Sequence, residues 1–315
     1  MSIAHLDTRF QITRQLAAHL ADACMNLNHA DEPWGRDTLR TLGDRTRECA
    51  PDLVEQVRRQ LAAGASCMAL RTAGAPLTSC LNAADGAGRM LGAATLLGLN
   101  MAVGFHPFGF RQERAGALIH DVLPEPGAEA RVSSSGRVQF DLHADCAYLD
   151  RALRPEILAF ICLHDETGTE TEIATLADVL EELSEDIVHQ LALPDYIHRA
   201  PASFSGEPRE RLSSIIDRVD GHWEIKVATH SCEPRTEGAR HALGALIESA
   251  RKHRQACRWA PGQILMLKNR ECLHGRRAIR PGARHLLRCY GSTTQAPGAI
   301  VDLAAMTSSG QHHSR

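Results

Sequence analysis

Val138-Gln139-Phe140-Asp141-Leu142-His143-Ala144-Asp145 follows the cluster Ser133-Ser134-Ser135-Gly136. Within it Val138, Phe140 and Leu142 alternate with Gln139, Asp141 and His143, the period-two pattern of a half-buried strand. Residues i and i+2 of a strand share a face. His143 and Asp145 can therefore offer an imidazole and a carboxylate in the same direction, even where the strand begins to turn.

The pattern on either side places this strand in an α+β chain. Ala117 to Leu123 forms a strand-like run closed by Pro124. Ile157 to Leu163 is continuously apolar and of strand length, and strands resume over 262–267 and 284–290. Helical spacing of apolar residues marks Phe10 to Leu27, Leu53 to Leu61 and Gly86 to Val103. A further helix spans Leu176 to Leu183, with Thr175 and Asp178 as its N-terminal cap pair. Another spans Glu237 to His253, where Ala239, Ala242, Leu243, Leu246, Ile247 and Ala250 form one stripe. The expectation is a single domain over 1–315. It has a mainly helical part over 1–104, a β-rich core over 116–292 and a frayed tail over 295–315.

Composition narrows the function classes. With 43% apolar and 23% charged residues, the chain can bury a sizeable core. A formal net charge of −3, with basic residues interleaved with acidic ones, gives no footprint for a nucleic-acid or membrane partner. The apolar runs are too short to span a bilayer, and the first residues lack the apolar stretch of a secretory signal. Ten cysteines contain no Cys-x-x-Cys pair, which argues against structural zinc and thioredoxin-type chemistry. Reduced thiols in a cytoplasmic protein are expected.

A second stretch, Gln263-Ile-Leu-Met-Leu-Lys-Asn-Arg-Glu-Cys-Leu-His274, sets a histidine just beyond an apolar run. Among seventeen histidines a His-x-Asp triplet arises easily by chance, so the order of the pieces matters more than any one. Two histidines and one carboxylate form the facial triad that holds non-haem Fe(II) with three positions open. Arg288 lies among Leu286, Leu287, Cys289 and Tyr290, in what should be a buried strand. A buried arginine calls for a carboxylate partner, and its planar fork suits a dicarboxylate co-substrate. Together these predict an iron- and 2-oxoglutarate-dependent oxygenase. The alternatives are a non-catalytic metal-binding jelly roll and a zinc hydrolase with the same ligands, neither of which needs a buried dicarboxylate anchor.

The stretches Leu118 to Pro124, Gly136 to Tyr148, Pro261 to Arg276 and Arg284 to Arg288 resemble the clavaminate synthase-like (TauD/TfdA-type) oxygenases. That branch includes the asparagine and arginine β-hydroxylases of non-ribosomal peptide pathways. The resemblance covers about 116–290 and implies a double-stranded β-helix, or jelly roll, with helices packed outside. It implies His143, Asp145 and His274 as iron ligands, Arg288 as the anchor of the 2-oxoglutarate C5 carboxylate, and Arg284 and Thr171 as its assistants. By position it also implies Arg114, Ser134 and Ser135 as substrate residues, and Asp217 and Asp220 as the grip on a cationic side chain.

The chain carries Asp145 where the best-known members of the branch carry Glu, and Lys268-Asn269-Arg270 in place of the family's acidic residue before the distal histidine strand; its segment between His274 and Arg288 is shorter than in the arginine hydroxylases. The implied reaction consumes O2 and 2-oxoglutarate, releases succinate and CO2, and hydroxylates a free or carrier-bound amino acid or a derivative of one. Retention of the carboxylate ligand favours hydroxylation over halogenation, with desaturation or cyclisation as variants. The resemblance also suggests a place in antibiotic biosynthesis.

Overall fold

A computed structural model describes residues 4–10, 34–72, 86–206 and 209–305. Two β-sheets face each other across a shared core. The larger runs Ala4–Phe10, Cys67–Thr72, Ile264–Lys268, Ile157–Asp165, Arg284–Ser292, His106–Phe110 and Ala299–Val301, with His120–Val122 also paired to Arg284–Ser292. The smaller runs Gln255–Cys257, Thr171–Thr175, Cys272–Arg276 and Phe140–His143, antiparallel throughout. This is the jelly-roll core expected for an α+β chain, with helices on its outer faces.

Period-two alternation sorts each central strand between two layers. Ile157, Ala159, Ile161 and Leu163 point outward to the helices, whereas Leu158, Phe160 and Cys162 point between the sheets. On Arg284–Ser292, Leu287 and Cys289 face the helices and Leu286 and Tyr290 face inward. Arg284 and Arg288 share the parity of the inward residues. On the smaller sheet, Cys272 and Ile173 point inward while Leu273 and Ala174 meet the outer helices.

The helix Ala87–Val103 is buried on nearly every side, between the larger sheet and the helix Arg36–Cys49. Glycines permit that approach. A Cβ on Gly98 would lie 2.5 Å from Thr46 Oγ1, and one on Gly43 would lie 2.7 Å from Met101 Cβ. The close fit removes Leu96 and Leu97 from water, each worth roughly 1.5–3 kcal/mol. Beyond the smaller sheet, the helix Glu237–His253 buries Ala239, Ala242, Leu243, Leu246 and Ala250. Its N-terminus is capped by Thr236, whose hydroxyl accepts from Ala239 N. Thr175 caps Leu176–Glu181 by accepting from Asp178 N and donating to the Asp178 carboxylate.

Two expectations change and a third is supplemented. Beside its helices the N-terminal part also contributes two strands, 4–10 and 67–72, to the larger sheet. Pairing with existing strands outweighs local pattern there. The tail is not frayed from 295, because Ala299–Val301 pairs in parallel with His106–Phe110. The expected strand from Ala117 shortens to His120–Val122, after a turn in which Arg114 and Ala115 take positive φ. The helix expected over 10–27 falls outside the described residues, apart from Phe10 at the end of the first strand.

Candidate metal centre

His143 ends the strand Phe140–His143 and stands directly opposite His274 of Cys272–Arg276. Cys146 then takes φ +58°, turning the chain away from the strand. Asp145 is left aimed back into the inter-sheet layer. Its Oδ1 lies 3.2 Å from His143 Nε2 and 3.6 Å from His274 Nε2. The three buried side chains converge, each offering one ligand atom within 4.8 Å of the others.

The surroundings preset this donor set. His143 Nδ1 sits 2.8 Å from Asp141 O, which requires the proton on Nδ1 and leaves the Nε2 lone pair facing its partners. Asn269 clamps the Asp145 backbone. Its side-chain oxygen accepts from Asp145 N at 2.8 Å, and its amide donates to Asp145 O at 3.0 Å and Pro155 O at 3.2 Å. Burial alone would raise the Asp145 carboxyl, but Arg288 and the two histidines hold it well below the usual range. Burial, then the neighbouring His143, lowers His274 to about 3. A neutral His274 imidazole beside an ionised carboxylate suits a divalent cation of intermediate softness. Two imidazoles and a carboxylate therefore fit Fe(II).

The two arginines differ in their engagements. Arg288 Nη1 donates to Asp145 Oδ2 at 2.7 Å, and Nη2 reaches Glu113 Oε1 at 3.0 Å and His120 Nδ1 at 2.5 Å. Its guanidinium also lies over the Tyr290 ring at 4.6 Å, and Tyr290 donates to Glu113 Oε2 at 3.0 Å. Arg284 is buried to 5% exposure, and its Nε and Nη1 find no partner among the described residues. It lines a narrow cleft with Thr171, Trp259, His143 and His274. Trp259 Nε1 donates to Thr171 Oγ1 at 2.9 Å, so the threonine's own proton is free to be given away.

A larger cavity of about 200 Å³ opens on the other side of the centre. Glu113, Ser134, Phe140, Asp145, His230 and Arg288 are among its walls. Ser134 is brought there by Arg276, whose guanidinium gathers the carbonyls of Ser133, Gly136 and Val138. Other expected substrate residues lie elsewhere. Arg114 is paired with Glu125 at 2.7 Å and bonded to Ser135, and neither Arg114 nor Ser135 lines a cavity at the centre. Asp217 is occupied by Lys226 and Ser214 on the strand Ile216–Val219, and Asp220 sits in the following turn at φ +50°. Neither aspartate lines a cavity at the centre.

Sequence reading passed over Glu113, His120 and Asn269. The first two had an available signal, since a buried Arg288 demands anionic and accepting neighbours. Asn269 had none, because its partners are backbone atoms.

A family model described as "Taurine catabolism dioxygenase TauD, TfdA family" matches residues 87–290. L-asparagine oxygenase of Streptomyces coelicolor is 29% identical over 269 residues, covering 84% of this chain and 76% of the relative. Enduracididine beta-hydroxylase of Streptomyces hygroscopicus is 24% identical over 209 residues, covering 55% of this chain and 58% of the relative. The structure of an asparagine oxygenase with Fe(II), 3-hydroxyasparagine and succinate superposes with a TM-score of 0.76 at 23% identity, over 98% of this chain and 96% of the other. With the family model spanning well over half of its length, this chain belongs to the TauD/TfdA dioxygenase family.

Proposed function

We propose that the protein is an Fe(II)- and 2-oxoglutarate-dependent dioxygenase that hydroxylates an unactivated C–H bond of a free amino acid. The observation that carries this reading is the placement of His143, Asp145 and His274 beside a buried guanidinium with unanswered N–H groups. A buried, unpaired arginine is costly unless an anion completes it. A metal-binding jelly roll without a dicarboxylate co-substrate would have no use for it.

His143, Asp145 and His274 would hold the metal. Iron bound there would supply the coupling of O2 reduction to oxidative decarboxylation of 2-oxoglutarate, giving succinate, CO2 and one oxygen atom for the substrate. Arg284, rather than Arg288, receives the distal carboxylate of 2-oxoglutarate. Its Nε and Nη1 are buried and available, whereas both terminal nitrogens of Arg288 are already engaged. Thr171 donates its hydroxyl proton to the same carboxylate.

The substrate enters the larger cavity, on the far side of Phe140 and His143. Burial raises the Glu113 carboxyl and Arg288 only partly offsets this, so an incoming α-ammonium would supply the missing positive charge. Ser134 adds a neutral hydrogen-bonding group. The names of the relatives, an asparagine oxygenase and an enduracididine hydroxylase, support an amino-acid substrate. The apolar walls exclude water and hold one C–H bond toward the centre.

The test is a panel of L-amino acids incubated with the protein, Fe(II), 2-oxoglutarate and O2. Succinate release matched by a product heavier by one oxygen atom is expected for at least one member. Succinate formation that no amino acid stimulates, from protein shown to bind both metal and co-substrate, would contradict the amino-acid reading.

A further inference from the structure

The two oxygens of Asp145 have separate employments. Oδ1 faces both histidines, while Oδ2 receives Arg288 Nη1 at 2.7 Å. Arg288 is itself held on several sides. Glu113 accepts from Nη2, and Tyr290 both lies under the guanidinium and donates to Glu113. His120 Nε2 lies 3.0 Å from Ala117 O, which places its proton on Nε2. The Nδ1 lone pair is then left to accept from Arg288 Nη2. With Asn269 fixing the Asp145 backbone, rotation of the carboxylate about its last bond would break the Arg288 contact.

A carboxylate can bind a cation through one oxygen or through both. The second mode would consume one of the three positions that the facial triad leaves open. A bidentate 2-oxoacid and O2 need all three. Building on the functional reading above, we propose that Arg288 is a positioning residue. It keeps Asp145 a one-oxygen ligand and ties that ligand to Glu113 on the substrate wall. The cluster Asp145–Arg288–Glu113 thus reserves a coordination position and joins the two cavities through one guanidinium. This role differs from anchoring the co-substrate, which the geometry leaves to Arg284.

Mn(II) serves as the probe, because water-proton relaxivity of the Mn(II)-loaded protein counts bound waters. Wild-type protein should carry about three, and Arg288→Met about one fewer. Arg288→Lys, which restores a charge toward Asp145, should recover part of the difference. 2-Oxoglutarate should bind the Mn(II) form of Arg288→Met about tenfold more weakly, on the scale of one lost charge-assisted contact. Equal relaxivity in Arg288→Met and wild type would overturn the proposal. Should Arg288→Met fail to fold by circular dichroism, His120→Leu decides. It removes the acceptor behind Nη2 while leaving both carboxylates paired, and should show a smaller loss of bound water, with no loss overturning the proposal. Wild-type protein that takes up no Mn(II) would defeat the metal reading itself. Normal Mn(II) uptake with unchanged relaxivity defeats only the role of Arg288.

Discussion

Arg284 and Arg288 lie four residues apart on one strand, face the same inter-sheet layer and are both buried. They nevertheless differ in nearly every respect that bears on function. Burial opposes the charge of Arg288, but Tyr290, Asp145 and Glu113 outweigh it and hold the proton more firmly than usual. For Arg284 burial prevails, and the nearby Asp165 and Cys162 do not compensate, so its pKa falls. Among the described residues no carboxylate lies within ion-pair distance of Arg284. Both terminal nitrogens of Arg288 meet carboxylates and its Nε is left without a partner among the described residues, whereas Arg284 lacks partners at both Nε and Nη1. The role of a buried guanidinium follows from which carboxylates already reach it, not from its type or its place in a strand.

Changes at the metal centre should exceed those at either arginine. Asp145→Ala removes the anionic ligand, and Fe(II) affinity measured by equilibrium dialysis should fall by more than about 100-fold, beyond the range typical of outer-sphere partners. Arg284→Gln should raise the KM for 2-oxoglutarate by about 10–100-fold, in line with 1.5–3 kcal/mol for a hydrogen bond to a charged group. Its metal affinity should stay unchanged, and altered metal binding would mean that the two arginines are not separable. Thr171→Val should raise the same KM by about fivefold, as expected for one neutral donor worth about 1 kcal/mol. No change would remove the threonine from the co-substrate cleft.

The smallest effect should appear far from both arginines. His198 is buried, its Nε2 lies 3.0 Å from Ser214 O and its Nδ1 has no partner among the described residues. Burial, only partly offset by that carbonyl, lowers its pKa from 6.5 to about 4. Between those values the unfolded chain binds more protons than the folded one. The stability present above pH 6.5 is therefore lost progressively as pH falls toward 4. His198→Gln should flatten that acid limb in thermal melts and leave 2-oxoglutarate binding untouched. An acid limb identical to that of wild type would show that other groups govern it.

Residue type and order made much of the site visible. Strict alternation would part Phe140 from His143, but a bulge opposite His274 and Arg276 sets their rings 4.1 Å apart; His143, Asp145 and His274 could be singled out from residue type, order and the apolar runs beside them. The arginines could not be sorted that way. The resemblance implies an anchor fourteen residues beyond His274, at Arg288. Arg284 and Arg288 both line the cleft, and only their partners tell them apart. Those partners come from strands and loops distant in the sequence, which a local pattern does not show. Asp217 and Asp220 lie on a hairpin with local contacts, Asp217 paired with Lys226 and Asp220 exposed. The strands at 4–10 and 67–72 are set by pairing across the sheet, which a local pattern does not encode.

The division of labour between the arginines can be tested by anaerobic titration of the Fe(II)-loaded protein with 2-oxoglutarate, followed by the weak visible charge-transfer absorption of the chelate. Wild-type protein should develop the band and saturate. Arg284→Gln should develop the same band only at about 10–100-fold higher 2-oxoglutarate, with its Fe(II) affinity intact. No band in metal-loaded wild type would contradict the oxygenase reading, and a titration of Arg284→Gln superimposable on wild type would contradict the assignment of the anchor.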